Sequence, residues 1–239
     1  MCSECIDDLR LRVSRPFRAE EAAESLPLVP PESLILPAPQ ECLDALVPLP
    51  VYSAGVYDDV LSRTLLAFKE QEYIRLRRVL GPALAGSIRA ALRDLLPPPG
   101  HRRPRLLLVS PPPSLRARLR RSYQPVPALM AAEPRLRGSF PSGVLRHRIS
   151  GRWSTAVLGS GQQKSRSALQ RRMGEQILAP TRRGRRLLEN ADVMIVDDVL
   201  TTGATIHHLY RVLTEAGARV YGAAVLAAVY RGDSVTDSA

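Results

Sequence analysis

Near the carboxyl terminus four apolar residues, Val193-Met194-Ile195-Val196, run without a break into two acids, Asp197-Asp198. A short apolar run closed by polar residues is the pattern of a strand buried on both faces. After a hydroxyl-rich loop, Ile206, Leu209, Leu213 and Ala216 recur at helical spacing, with Gly217 at the C-cap position. Residues 220–229 then read as a further buried strand. Strand, helix and strand of these lengths imply parallel neighbours joined by a right-handed crossover, which a hairpin cannot supply. The predicted fold class is α/β, with a parallel sheet flanked by helices.

The rest of the chain is read around this unit. Val60, Leu61, Thr64, Leu65 and Phe68 give residues 57–69 a helical period, and Leu80, Leu84, Ile88 and Leu92 do the same for residues 74–95. Leu106-Leu107-Leu108-Val109 is another short buried strand, stopped by Ser110-Pro111-Pro112-Pro113-Ser114. Residues 115–132 suit a helix except where Pro125 and Pro127 interrupt, and residues 133–190 show weak periodicity. In residues 1–50, seven prolines from Pro27 to Pro50 break any long element. The expected division is a Pro-rich acidic arm over residues 1–50, extended and wrapping the rest, and one domain over 51–239 with an irregular basic hood at roughly 115–190.

Composition narrows the function classes. The formal net charge is +11, yet residues 101–190 alone carry 20 basic and 3 acidic side chains. Such a block predicts a polyanionic partner, either a phosphorylated metabolite or nucleic acid. The longest apolar run, residues 220–230, is half the length of a membrane span. Glu4, Asp7, Asp8 and Arg10 stand where a secretory leader needs apolar residues. Three cysteines make no disulfide framework, so a cytoplasmic setting is expected.

The chemistry lies in the junction Asp197-Asp198-Val199-Leu200-Thr201-Thr202-Gly203-Ala204-Thr205. A loop at the carboxyl end of a parallel strand is where open α/β sheets bind ligands. Thr201, Thr202, Gly203, Ala204 and Thr205 open a helix, whose free N–H groups suit a phosphate monoester. Two carboxylates beside a phosphate make sense if the same ligand offers vicinal hydroxyls. Phosphate with a diol describes a ribose 5-phosphate. The loop lacks the Lys of a P-loop and the Gly-x-Gly-x-x-Gly of a dinucleotide fold.

Residues 193–205 resemble the phosphoribosyl-pyrophosphate signature of type I phosphoribosyltransferases: four apolar residues, two acids, two apolar residues, then Thr-Thr-Gly-Ala-Thr. Over roughly residues 50–231, the order of elements and Arg121-Ser122-Tyr123-Gln124-Pro125 are similar to the ComF family. The resemblance implies a type I phosphoribosyltransferase-like fold. It also implies an association with DNA uptake or processing; the alternative is a non-catalytic module on the same fold, contacting single-stranded DNA or a DNA-processing protein, or sensing a nucleotide. Members commonly begin with a zinc ribbon of two Cys-x-x-Cys pairs. This chain has Cys2, Cys5 and Cys42, one thiol short of a tetrahedral set, as of a remnant ribbon.

The implied reaction displaces pyrophosphate from the anomeric carbon of phosphoribosyl pyrophosphate. Asp197 and Asp198 would be the catalytic acids, stabilising charge on the ribose through its hydroxyls. Mg²⁺ would be held mainly by the ligand's own oxygens. The resemblance places pyrophosphate near Ser110 and Arg121, and Lys164 and Arg171, with Arg166 and Arg172, in the mobile hood. Two departures stand out. Three successive prolines remove three N–H donors after Ser110, and Ser122 replaces the family's usual Gly. Where 6-oxopurine enzymes carry an Asp base, this chain has Thr201, a poor base, so hypoxanthine and guanine are not expected acceptors. His207 and His208 are expected on the surface of the following helix.

Overall fold

The computed structural model describes residues 3–31, 45–95, 106–113, 123–148 and 177–230. The chain opens with α1 (Ser3–Arg12), β1 (Phe17–Arg18), a 3-10 turn (Glu20–Ala22), β2 (Leu28–Val29), β3 (Val47–Pro48) and β4 (Val51–Val56). Next come α2 (Asp59–Glu70), a 3-10 turn (Ile74–Leu76), α3 (Arg77–Leu95), β5 (Leu106–Val109), α4 (Pro125–Ala131) and α5 (Pro134–Arg137). The last elements are β6 (Leu145–Arg148), β7 (Ile177–Pro180), α6 (Arg182–Leu188), β8 (Asp192–Leu200), α7 (Ala204–Glu215) and β9 (Arg219–Ala228).

The main sheet has the order β1-β4-β9-β8-β5. Strands β4, β9, β8 and β5 are parallel, and the two-residue β1 pairs antiparallel with β4. Two small antiparallel pairs, β2 with β3 and β6 with β7, lie apart from it. The fold is α/β with a mostly parallel sheet between helices, as the sequence predicts.

Alternation along the strands explains the layers. Val193 and Ile195 of β8 pack into one apolar cluster with Ile206, Leu209 and Leu213 of α7. Met194 and Val196 pack into the other, with Leu61 and Phe68 of α2 and Leu80, Leu84 and Ile88 of α3. Successive side chains of a strand face opposite sides, so a continuous apolar run fills both layers. The central strand β9 uses small residues, Ala223, Ala224, Ala227 and Ala228, all fully buried. At Gly222 a Cβ would stand 2.8 Å from the carbonyl oxygen of Pro50 and 2.7 Å from Leu95. Any larger residue there would force β9 away from the chain entering β4.

Three features depart from the sequence reading. The arm is not simply extended: residues 3–12 form α1, and Leu9, Ala19 and Val29 are completely buried in the two clusters. Strand β4 carries no clear sequence signal, because Ser53, Ala54 and Gly55 have low strand propensity. Its place is set by pairing with β9 instead. Pro125 does not interrupt a helix but begins one, at the position where its missing N–H costs nothing.

Candidate ligand-binding site at the carboxyl edge of the sheet

Strand β8 continues through Leu200, so Asp197 and Asp198 belong to its last turns of pleat rather than to a loop. Pairing explains the extension: Asp197 stands opposite Val225, Val199 opposite Ala227 and Leu200 opposite Ala228 on β9. The turn proper is only Thr201-Thr202-Gly203, after which α7 begins. Gly203 takes φ of +85°, the left-handed region that glycine enters without strain. A Cβ at Gly203 would meet Leu26 at 3.0 Å and the Leu26 backbone nitrogen at 3.2 Å. Its smallness therefore accommodates the amino-terminal segment as well as the turn. Ser25 donates its N–H to the Thr202 carbonyl at 2.8 Å, and its own carbonyl lies 3.2 Å from Nδ1 of His207.

The start of α7 has open donors. The first helical bond is from His207 N–H to the Gly203 carbonyl, and Ala204 N–H meets only the Thr202 hydroxyl, at 3.4 Å. The N–H groups of Thr205 and Ile206 have no acceptor among the described residues. Thr201, Ala204 and Thr205 are exposed. Orphan donors at a helix start, at the positive end of its dipole, favour negative charge.

The acids differ in environment. Asp197 is half-buried, and its Oδ1 accepts the backbone N–H of Asp198 at 2.8 Å. Burial, and next the charge of Asp198, push its carboxyl up to about 7, against the pull of that N–H and of Lys69. Asp198 forms an ion pair from Oδ2 to Nζ of Lys69 at 2.8 Å, with both side chains about one-fifth exposed. Lys69 comes from the last turn of α2, whose register is set at the other end by Asp58. That carboxylate accepts the N–H of Leu61 at 2.8 Å as N-cap and also pairs with Arg12 of α1.

Lys69 is the site residue that sequence reasoning missed. A signal was present: Lys69 is one of only two lysines among 34 basic residues. Ser110 lies at the same edge, just after Val109, which stands opposite Ile195 of β8. The loop that follows is tied down by His147 of β6, whose Nε2 lies 3.0 Å from the Pro112 carbonyl. That carbonyl only accepts, so Nε2 carries the proton, and Nδ1 is left buried without a partner among the described residues. His208 is half-buried rather than merely on the surface, and its Nε2 accepts the N–H of Leu178 at 3.3 Å.

Arg121, Lys164, Arg171, Cys2 and Cys42 lie outside the described residues, as do Arg166 and Arg172. Cys5 sits on the exposed side of α1, and no cluster of three His, Cys, Asp or Glu occurs among the described residues. Among those residues no helix is long and apolar enough to cross a membrane. A cavity of about 640 Å³, lined by Leu178, Pro180, Arg185, Glu189 and Glu215, lies at the carboxyl end of α7. On α7 its lining begins at Val212, eight residues or about 12 Å beyond Ala204, so it is not part of the acids' site.

An acid pair ending one parallel strand thus stands beside a helix start with open donors, at the carboxyl edge where open α/β sheets place their ligand sites. Residues 155–238 match the family model described as the phosphoribosyl transferase domain, a stretch that contains β7, α6, β8, α7 and β9. The match spans 84 of the 239 residues, and the mostly parallel sheet between helices is consistent with a type I phosphoribosyltransferase-like fold. No curated protein matches it.

Proposed function

We propose that this protein binds phosphoribosyl pyrophosphate, or a ribose 5-phosphate ligand, and transfers the phosphoribosyl group to an acceptor. The carrying observation is the short distance in sequence between two unlike carboxylates and a donor-rich helix start. The 5-phosphate takes the open N–H groups of residues 204–206, and Asp197 and Asp198 take the ribose hydroxyls. As the acceptor's lone pair forms its bond to the anomeric carbon, the bond from that carbon to pyrophosphate oxygen breaks. The acids then stabilise the positive charge on the ring.

The described residues offer no open set of carboxylates for a cation, since Asp197 is engaged by a backbone N–H and Asp198 by Lys69. They fit Mg²⁺ that arrives on the ligand's own oxygens, where it would neutralise the departing pyrophosphate. The test is calorimetric titration with phosphoribosyl pyrophosphate, with and without Mg²⁺, followed by a pyrophosphate-release screen across nucleobases. Absence of binding under both conditions overturns the reading.

A second reading, a ComF-like role on DNA in the cytoplasm, draws on the basic face of β6 and α6. Arg146, Arg148, Arg182, Arg183, Arg185 and Arg186 are all exposed there, and none is ion-paired among the described residues. Single-stranded DNA held by this face would dissociate steeply with salt. Salt-independent retention, or none at low salt, would leave the arginines to other partners.

A further inference from the structure

Two carboxylates next to one another are a poor neighbour for a phosphate that carries up to two negative charges. The fold meets this conflict with one cation placed from a different layer. Lys69 projects from the last turn of α2, is mostly shielded from solvent, and holds Oδ2 of Asp198 at 2.8 Å. No other cation is within ion-pairing distance of either acid among the described residues, and Arg12, the next basic residue at this edge, is engaged by Asp8 and Asp58. The neighbouring strands add no charge: Val225 stands opposite Asp197 and Ala227 opposite Val199 on β9, and Val109 precedes Ser110 and the prolines on the β5 side. On α2 itself Lys69 lies between Phe68, packed edge-on against the ring of Tyr123, and the exposed Glu70.

We infer that Lys69 is the charge-balancing residue of this site: it makes an acidic strand end compatible with an anionic ribosyl phosphate, and so selects for phosphorylated over neutral ribosides. This rests on the proposed ribose 5-phosphate site. Lys69 acts through Asp198 and is a positioning residue, not a catalytic one. The upward displacement of Asp197 agrees with it, because a site carrying only one firm negative charge is balanced by one lysine.

The experiment titrates the full chain with ribose 5-phosphate calorimetrically from pH 5 to pH 8.5, for the parent and for Lys69→Gln, Lys69→Met and Lys69→Arg. Circular dichroism verifies folding of each variant. Lys69→Gln keeps a donor for Asp198 while removing the charge, so it separates charge from geometry. Expected at pH 8 is a loss of affinity of at least tenfold for the Gln and Met variants, and of less than threefold for Lys69→Arg. As pH falls to 5, the loss relative to parent should shrink, because protons then neutralise Asp197 and leave Lys69 one acid fewer to offset. A Gln variant that binds within twofold of parent at pH 8, or a loss that is the same at every pH, overturns the inference while leaving the binding site intact. A parent that binds neither ribose 5-phosphate nor phosphoribosyl pyrophosphate overturns both.

Discussion

Replacing Asp197 by asparagine removes a charge from a place where the fold resists it, and the size of the effect follows from the structure. A carboxyl moved from 3.8 to about 7 is less stable ionised in the folded chain than in the unfolded one. Complete burial would make that difference about 4 kcal/mol at high pH, at about 1.4 kcal/mol per pH unit. Asp197 is only half-buried, and solvent screening reduces the figure to about 2 kcal/mol. The sign follows from proton binding. The folded state holds this proton more tightly, so the stability it contributes is full below about pH 4 and is lost as pH rises through about 7. Asparagine is neutral throughout and still accepts the N–H of Asp198. Asp197→Asn should therefore match the parent near pH 4 and exceed it by about 2 kcal/mol at pH 8, measured by urea unfolding. In the same variant ribose 5-phosphate affinity should fall roughly ten- to a hundredfold, because a charged hydrogen bond is lost. A variant less stable than parent at pH 8, or a stability difference that ignores pH, would refute the reasoning and make Asp197 a structural residue.

Other expectations follow from single contacts. Leu9→Ala removes a completely buried side chain of the arm and should cost about 2–5 kcal/mol in chemical unfolding. Asp58 is held below the usual carboxylate range: burial works against this, but the Leu61 N–H and the Arg12 guanidinium outweigh it. Asp58→Ala should cost about 1 kcal/mol at pH 7, and the loss should fade only as pH falls below the usual carboxylate range, where the parent's own cap becomes protonated. Gly203→Ala forces a side chain into a left-handed φ and against Leu26, and should cost about 1–3 kcal/mol in thermal or urea melts. Because that substitution also disturbs the arm, the acid variants isolate the ligand's contribution more cleanly.

The legible parts of the fold were those in which one strong local signal determined the outcome. Residues 193–196 and 106–109 had no alternative to burial, and the spacing of Ile206, Leu209 and Leu213 had none to a helix packed against them. Strand β4 was illegible because its small residues answer to neighbours distant in sequence, Gly55 to Arg12, Val13 and Leu61, a tertiary reason that leaves no local pattern. Helix α1 was obscured by charge: Asp7, Asp8, Arg10 and Arg12 surround Leu9, the one residue of that helix that is buried. In the site, Asp197, Asp198 and the turn were readable because they are contiguous. Lys69 was not, since its partnership with Asp198 exists only once α2 lies across the end of β8.

The hydrogen bond from Ser25 to Thr202 and the contact of His207 with Ser25, 182 residues apart, have a consequence for how the molecule is made. The proposed ligand turn is closed by residues that leave the ribosome long before the residues on which they rest. Until β8 and β9 exist, Ala19, Leu26 and Val29 lack a large part of the cluster in which they are buried. Closure over so long a stretch is an entropically slow event, and a chain interrupted after β5 carries its apolar arm uncovered. Ligand that engages only the closed turn therefore also acts late, drawing the last step of maturation forward in proportion to its concentration.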